Sequence, residues 1–154
     1  MPQKLPKLQL GLGIATLVSL ILTLWKKWSK KPITSPKILL SKYNKYRKYI
    51  EAQARHETGN YTSLSYDLDN NLFGMKNAIK RKQLGVKKED RPYRVYKNNA
   101  ESIADFLIYL DYVNFPTDLQ TLQEYVQELK FRSYFEDSEF NYFRGVNQFY
   151  QQLN

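Results

Sequence analysis

The segment that decides the fold is residues 42–59, KYNKYRKYIEAQARHETG. Four of its residues recur at spacings of four, four and three, which places them on one face of a helix: Tyr46, Ile50, Ala54 and Glu57. Gly59 follows closely, and glycine commonly ends a helix because it adopts the left-handed conformation without steric cost. We therefore predict a helix from Lys42 to Glu57 whose final turn carries a carboxylate on the apolar face.

The end of a helix is an electrostatically poor place for an anion. The negative end of the helix dipole and partial burial both favour the neutral form of Glu57, which a general acid must hold near neutral pH. Periodicity alone also allows a simpler interpretation, in which Glu57 is a solvated residue at a helix end. A second motif favours the first interpretation.

That motif is NNLFGMK at residues 70–76, thirteen to nineteen residues after Glu57. Together with AQARHETG at 52–59, it resembles the glucosaminidase family of peptidoglycan hydrolases, glycoside hydrolase family 73. Further matches follow in the same order as in the family: YRVY at 93–96, ESI at 101–103, and then Tyr134, Asp137 and Phe140. The resemblance extends over roughly residues 43–150.

The resemblance implies an α+β, mostly helical fold, a lysozyme-like domain in which a groove separates a helical lobe from a small β lobe. The residue pattern itself predicts three helix caps: Asn99, Thr117 and Asp137. It also predicts three apolar helical stripes, most of them core: Ile103, Phe106, Leu107 and Leu110; Leu122, Tyr125, Val126 and Leu129; Phe140, Phe143, Val146 and Phe149.

The resemblance also implies roles for single residues. Glu57 would be the general acid that protonates the leaving glycosidic oxygen. Asn71 would hydrogen-bond sugar or hold its loop, and Gly74 would permit close backbone approach. Tyr134 would line the far side of the site and orient an N-acetyl group, with a core role as the alternative. Three aromatic residues are candidates for the groove: Tyr61, Tyr66 and Phe73.

A second catalytic carboxylate is harder to assign. Only Glu89 and Asp90 occupy the region where the family often has one, and both stand among lysines and an arginine, which fits solvated charges equally well. Without a partner for Glu57, the acetamido group of the substrate would assist, or its 6-hydroxyl would attack and leave an anhydro sugar. The sequence leaves open hydrolysis by a glucosaminidase and cleavage by a lytic transglycosylase or muramidase of the same fold.

Composition excludes several other chemistries. The chain has 154 residues, enough for one domain and an appendage. It has no cysteine and a single histidine, His56, which excludes disulfides, thiolate catalysis and the common zinc sites. We predict neither a metal nor another cofactor.

The net charge of +9 is unevenly distributed. Residues 1–48 hold eleven Lys or Arg and no acidic residue, and residues 76–97 hold nine bases and two acids. No nucleic-acid partner is predicted, because signature folds are missing and residues 98–154 carry nine acids against three bases. The basic stretch at 76–97 would attract the anionic stem peptides of peptidoglycan, or it is simply a solvated loop.

An uncharged apolar run covers residues 8–25, with lysines on both sides. As a helix its eighteen residues would span roughly 27 Å, close to the hydrocarbon thickness of a bilayer. A cleaved signal peptide is the competing interpretation, but bulky Leu24 and Trp25 stand where a peptidase needs small residues. The predicted organisation is a transmembrane anchor at 1–28, a basic stem at 29–42 and the glucosaminidase domain at 43–154.

The orientation of this single-pass anchor conflicts with the substrate. Seven lysines between residues 26 and 45, against two before the run, favour a cytoplasmic domain, whereas peptidoglycan lies outside. Either the domain is exported as a bacterial envelope enzyme, or it belongs to the membrane of a phage virion, contacts virion proteins and opens the wall during infection. An inactive member of the family that binds glycan or serves as a virion structural protein is the rival from another class.

Overall fold

The computed structural model describes residues 34–153. The predicted anchor at 1–28, with its apolar run 8–25, and residues 29–33 of the predicted stem lie outside this range. None of the helices in the described part combines the length and the apolar character that a membrane-spanning segment needs.

Between residues 34 and 153 the chain forms six α-helices and one small sheet. The helices are α1 (Pro36–Lys42), α2 (Arg47–Glu57), α3 (Leu64–Asp69), α4 (Asn99–Tyr112), α5 (Leu122–Phe131) and α6 (Glu139–Tyr150), with 3-10 turns at Asn44–Tyr46 and Gln151–Leu153. Strands β1 (Val86–Lys87) and β2 (Arg94–Val95) pair antiparallel, with Val86 opposite Val95. This architecture confirms a mostly helical α+β domain with a small β part.

The helical core forms where α2 packs against α6, α6 against α5, and α1 against α4. The predicted stripe of α5 is buried in full: Leu122, Tyr125, Val126 and Leu129. In α6 the prediction for Phe140 was wrong, because its side chain is 70% exposed. Phe140 stands six positions before buried Val146, roughly 120° around the helix, whereas Tyr142 stands four positions before it and is buried.

The helix caps lie one to four residues from their predicted positions. Asn98, Thr121 and Ser138 cap α4, α5 and α6, in place of Asn99, Thr117 and Asp137. At α5 the Thr121 hydroxyl accepts from the Glu124 amide, and the Glu124 carboxylate accepts from the Thr121 amide. Each cap side chain accepts from the amide three residues later. Because several polar residues stand near each helix start, the sequence alone does not decide which of them is the cap.

The domain begins earlier than residue 43. Helix α1, which lies within the predicted stem, buries Leu39 completely, and the compact unit starts at Thr34. The Thr34 hydroxyl donates to Asp111 Oδ2 at 3.0 Å, and Lys42 Nζ lies 2.6 Å from Asp111 Oδ1. These contacts attach α1 to the end of α4, so the last residues of the predicted stem belong to the folded domain.

Residues 70–97 form the β lobe, which is held together by its arginines. Arg81 makes two hydrogen bonds, of 3.0 and 2.9 Å, to the fully buried carboxylate of Asp105 in α4. The same carboxylate accepts from the Tyr96 hydroxyl at 2.7 Å. Arg91 binds buried Asp69 at 2.9 Å, and Arg94 donates to the backbone of the β lobe. Ion pairs therefore fix the β lobe against the helical part.

Candidate active site

Helix α2 ends at Glu57, as the sequence predicts, but it begins at Arg47 rather than at Lys42, because a 3-10 turn at Asn44–Tyr46 separates it from α1. Beyond Thr58 the chain turns away through three consecutive left-handed residues, Gly59, Asn60 and Tyr61, with φ of 57°, 61° and 66°. The Thr58 hydroxyl donates to the Ala54 carbonyl at 2.7 Å and so satisfies one of the last carbonyls of the helix. The abrupt reversal leaves Glu57 at the tip of α2.

The Glu57 carboxyl group is partly buried between α6 and the 70–76 loop. Tyr142 in α6 donates its hydroxyl to Glu57 Oε1 at 2.5 Å. On the other side, Oε2 lies 3.7 Å from the position that a Cβ on Gly74 would occupy. The NNLFG turn therefore lies beside the second oxygen, with Gly74 in the left-handed region at φ 58°.

Burial raises the pKa of Glu57, and the hydrogen bond from Tyr142 partly offsets that rise. A raised pKa keeps a carboxylic acid protonated to higher pH than in water. The position at the negative end of α2 acts in the same direction. Both effects act in the direction that general acid catalysis requires of a proton donor.

The structure assigns Asn71 to the inside of its loop. Its Nδ2 donates to the carbonyls of Met75 and Arg94, both at 3.0 Å, and its Oδ1 accepts from the Met75 amide at 2.9 Å. The side chain is buried and its polar atoms are engaged, which favours the supporting role over contact with sugar. Asn71 sets the shape of the turn that carries Gly74.

Phe73 is a core residue rather than part of the groove wall. Its ring is 2% exposed and stacks on Phe106 at a centroid distance of 4.2 Å. Its carbonyl accepts a hydrogen bond of 2.6 Å from the Tyr134 hydroxyl. The sequence could not separate the two roles, because an aromatic residue in a glycine turn fits both.

Tyr134 lies near Glu57 in a half-buried position. Burial raises its pKa well above the usual value, and the charge of Glu57 adds to the rise. Its hydroxyl is engaged with the Phe73 carbonyl. Tyr134 therefore joins the segment before α6 to the 70–76 loop, and its contact with an N-acetyl group stays a prediction.

Tyr61 and Tyr66 form a pair just beyond α2, with ring centroids 5.4 Å apart. The Tyr61 hydroxyl donates to Glu51 at 2.7 Å, and burial followed by this contact raises the pKa of Tyr61 to about 12. The Tyr66 hydroxyl accepts from Asn99 at 3.2 Å. Both rings are partly exposed, so a role in binding sugar stays open.

Glu89 and Asp90 lie in the turn that joins β1 to β2, and both are exposed. Asp90 Oδ2 is 3.8 Å from Arg91 Nε. In the described part of the chain no hydrogen bond or ion pair connects either residue with Glu57. Their environment fits solvated charges, and a catalytic role for them stays an unsupported prediction.

Sequence reasoning missed two residues beside the acid. Tyr142 was hidden among the aromatic residues of α6, although its position four residues before Val146 is a signal for the buried face. Gln53 is fully buried one turn before Glu57, and its Oε1 accepts from the Tyr125 hydroxyl at 2.6 Å. Within residues 34–153, His, Asp and Glu side chains form no cluster of three that could hold a metal ion.

A carboxyl group whose pKa is raised by burial, at the end of a helix and beside a glycine turn, is suited to be the proton donor of a glycoside hydrolase. The model of the glucosaminidase family, described as mannosyl-glycoprotein endo-beta-N-acetylglucosaminidase, matches residues 36–154, and the chain belongs to this family. No curated protein and no solved structure matches the chain. Membership makes the protein a glycoside hydrolase that acts on peptidoglycan, of the endo-β-N-acetylglucosaminidase type.

Proposed function

We propose that this glucosaminidase cleaves the β-1,4 glycan strand of peptidoglycan with Glu57 as its general acid, in a groove of lysozyme-like form. The observation that carries the proposal is the setting of Glu57 at the tip of α2, partly buried, with Oε1 bound by Tyr142 and Oε2 beside Gly74. As the glycosidic bond breaks, Glu57 would protonate the departing oxygen while positive charge develops on the sugar ring.

The second reacting group is proposed to come from the substrate. In retaining glycosidases that use a protein nucleophile, the two carboxyl groups stand about 5 to 5.5 Å apart. Among the described residues, no hydrogen bond or ion pair links a second carboxylate to Glu57, and Glu89 and Asp90 are exposed in the turn between β1 and β2. Attack by the substrate's own acetamido group needs no such partner.

The test is digestion of purified cell wall by the full chain and by Glu57→Gln. Loss of the acid should lower the rate by about 10² to 10⁴, while Glu128→Gln, which changes an ion pair with Arg132 at the end of α5, should leave it unchanged. Mass spectrometry of the products separates reducing N-acetylglucosamine ends, as proposed, from reducing muramic ends or anhydro ends. Equal inactivity of the wild type and Glu57→Gln would instead support the inactive glycan-binding protein.

The exposed lysines of the β lobe support a role in attracting the wall. Three arginines of this lobe make internal contacts, whereas six lysines have exposed side chains: Lys76, Lys80, Lys82, Lys87, Lys88 and Lys97. Stem peptides carry carboxylates, and a surface of one charge raises the local concentration of its counter-ions. We include the anionic stem peptides among the proposed ligands.

The proposed location is a membrane, with residues 8–25 as a single-pass anchor in the bacterial envelope or in a phage virion. An arginine at the centre of a spanning helix costs about 2.5 to 3.5 kcal/mol. The double change Leu17→Arg and Ile21→Arg should therefore release the chain from membranes washed with alkaline carbonate. Retention of the double variant in the membrane pellet would contradict this proposal.

A further inference from the structure

Tyr142, in α6, contacts the carboxyl group of Glu57, which lies at the end of α2. We infer that Tyr142 is a positioning residue that fixes which oxygen of Glu57 carries the proton and where that oxygen points. The inference rests on the proposed role of Glu57 as general acid. It concerns a residue outside the motifs that carry the family resemblance.

The hydroxyl of Tyr142 distinguishes the two oxygens of Glu57. It donates to Oε1 at 2.5 Å, so Oε1 is an acceptor, and the proton of the neutral acid belongs on Oε2. Oε2 is the oxygen beside the Gly74 backbone, where the absence of a side chain leaves room. The hydrogen bond thus directs the transferable proton toward the 70–76 loop.

The ring of Tyr142 is held from two sides. Phe135 stacks on it with centroids 3.8 Å apart and an interplanar angle of 4°, and His56 meets it edge to face at 5.0 Å and 89°. Tyr142 is 4% exposed. A ring fixed in this way cannot change rotamer without displacing both neighbours, so its hydroxyl keeps one position.

Gly145, one turn further along α6, makes room for His56. A Cβ on Gly145 would overlap the imidazole of His56. Glycine in a helix interior costs about 1 kcal/mol relative to alanine, and the close approach of His56 gives a reason for it at this position. We call Tyr142 with its neighbours Phe135, His56 and Gly145 the brace of Glu57. Its residues come from α2, α6 and the segment before α6.

The brace also serves the state that follows proton transfer. The proton passes from Oε2 to the glycosidic oxygen, the bond from that oxygen to the sugar carbon breaks, and its electron pair stays on the oxygen. Glu57 is then an anion, and Tyr142 already donates to it while keeping its own proton. A hydrogen bond to a charged group is about twice as strong as one between neutral groups.

The other titratable groups around the acid stay uncharged. Burial raises the pKa of Tyr125, Tyr134 and Tyr142 well above the usual value. Burial lowers the pKa of His56, against an opposing effect of the Asp137 charge. Near neutral pH the acid is thus surrounded by neutral groups, and Tyr142 stabilises its charged form.

The test is the pH dependence of kcat for the full chain on soluble glycan fragments of peptidoglycan. Because the Tyr142 hydrogen bond favours the Glu57 carboxylate, Tyr142→Phe should move the alkaline limb of the profile upward by about one pH unit. It should also lower kcat about tenfold, with KM nearly unchanged, since the lost contact strengthens as charge develops on Glu57. Tyr46→Phe, in the core, should keep the wild-type profile.

Two further variants keep the test valid if Tyr142→Phe does not fold. Replacing Tyr142 with 3-fluorotyrosine keeps the ring and makes its hydroxyl a stronger donor, so the alkaline limb should move downward. Gly145→Ala retains every side chain of the brace but displaces His56, and it should reproduce part of the upward shift.

An unmoved alkaline limb in either Tyr142 variant would overturn the inference, whatever happens to kcat. The proposed function fails separately, if Glu57→Gln keeps its activity. An inactive Glu57→Gln together with an unmoved limb would therefore reject the role of Tyr142 and leave the role of Glu57 intact.

Discussion

Asn71 joins three backbone groups with one side chain. We expect Asn71→Ala to lower the free energy of unfolding by about 2 to 4 kcal/mol, because it leaves buried amide and carbonyl groups of Met75 and Arg94 without partners. Chemical denaturation of the full chain measures this loss. Asn99→Ala is a matched control, since the Asn99 side chain is exposed and its amide reaches only the Tyr66 hydroxyl.

Glu57 is expected to cost stability at neutral pH. A carboxyl group whose pKa is raised on folding stabilises the folded protein at pH values below its unfolded pKa, and this contribution disappears as the pH rises through the folded pKa. Glu57→Gln, which cannot ionise, should therefore raise Tm by roughly 3 °C at pH 8 and by less at pH 4. Scanning calorimetry at both pH values, with Glu89→Gln as the exposed control, measures the difference. A stabilisation larger at pH 4 would contradict the expectation.

At the level of single residues, the sequence identifies Glu57 and Gly74 because their signals are local. Helical periodicity and a following glycine place Glu57 at the end of its helix, and the resemblance of the short NNLFG motif to the glucosaminidase family assigns the roles of both residues, which stay predictions. Tyr142 could not be found in this way, since its hydrogen bond to Glu57 joins residues that are 85 positions apart. Asn71 and Phe73 were found as part of a motif, but their burial depends on α4 and β2.

Asp105 in α4 is one of two buried carboxylates that bind arginines of the β lobe. Asp105 is fully buried and binds Arg81, Tyr96 and the Leu84 amide. Asp105→Ala should lower the free energy of unfolding by about 3 to 5 kcal/mol, because it leaves the Arg81 charge buried without a partner. Hydrogen exchange should show the loss first in residues 70–97. An unchanged exchange pattern there would mean that the lobe is held by other contacts.

At the level of elements, the sequence predicts the helices better than their ends. The stripe of α5 and the end of α2 follow from periodicity, whereas the caps and Phe140 depend on which residue begins each helix. The β lobe was the least predictable element. Its two strands are two residues each, and its stability comes from ion pairs such as Arg81 with Asp105, which are 24 positions apart.

At the level of the whole molecule, the charged surface is that of the β lobe, where the arginines make internal contacts and the lysines are exposed. We expect salt to lower activity on intact wall steeply, because screening weakens attraction between exposed charges beyond about 8 to 10 Å. On an uncharged oligosaccharide of N-acetylglucosamine the same salt should have little effect. The triple variant Lys80→Gln, Lys82→Gln and Lys87→Gln should bind wall more weakly and keep its rate on the uncharged substrate. Equal salt sensitivity on both substrates would contradict electrostatic attraction.

The order in which the ribosome makes the chain gives the contact between Tyr142 and Glu57 a final consequence. Glu57 leaves the ribosome early, but the hydroxyl that orients it arrives only with α6, some 85 residues later. A nascent chain halted before α6 would carry the acid without its brace. Because α6 also packs against α2, we expect the surroundings of Glu57 to be complete only after translation has passed residue 142.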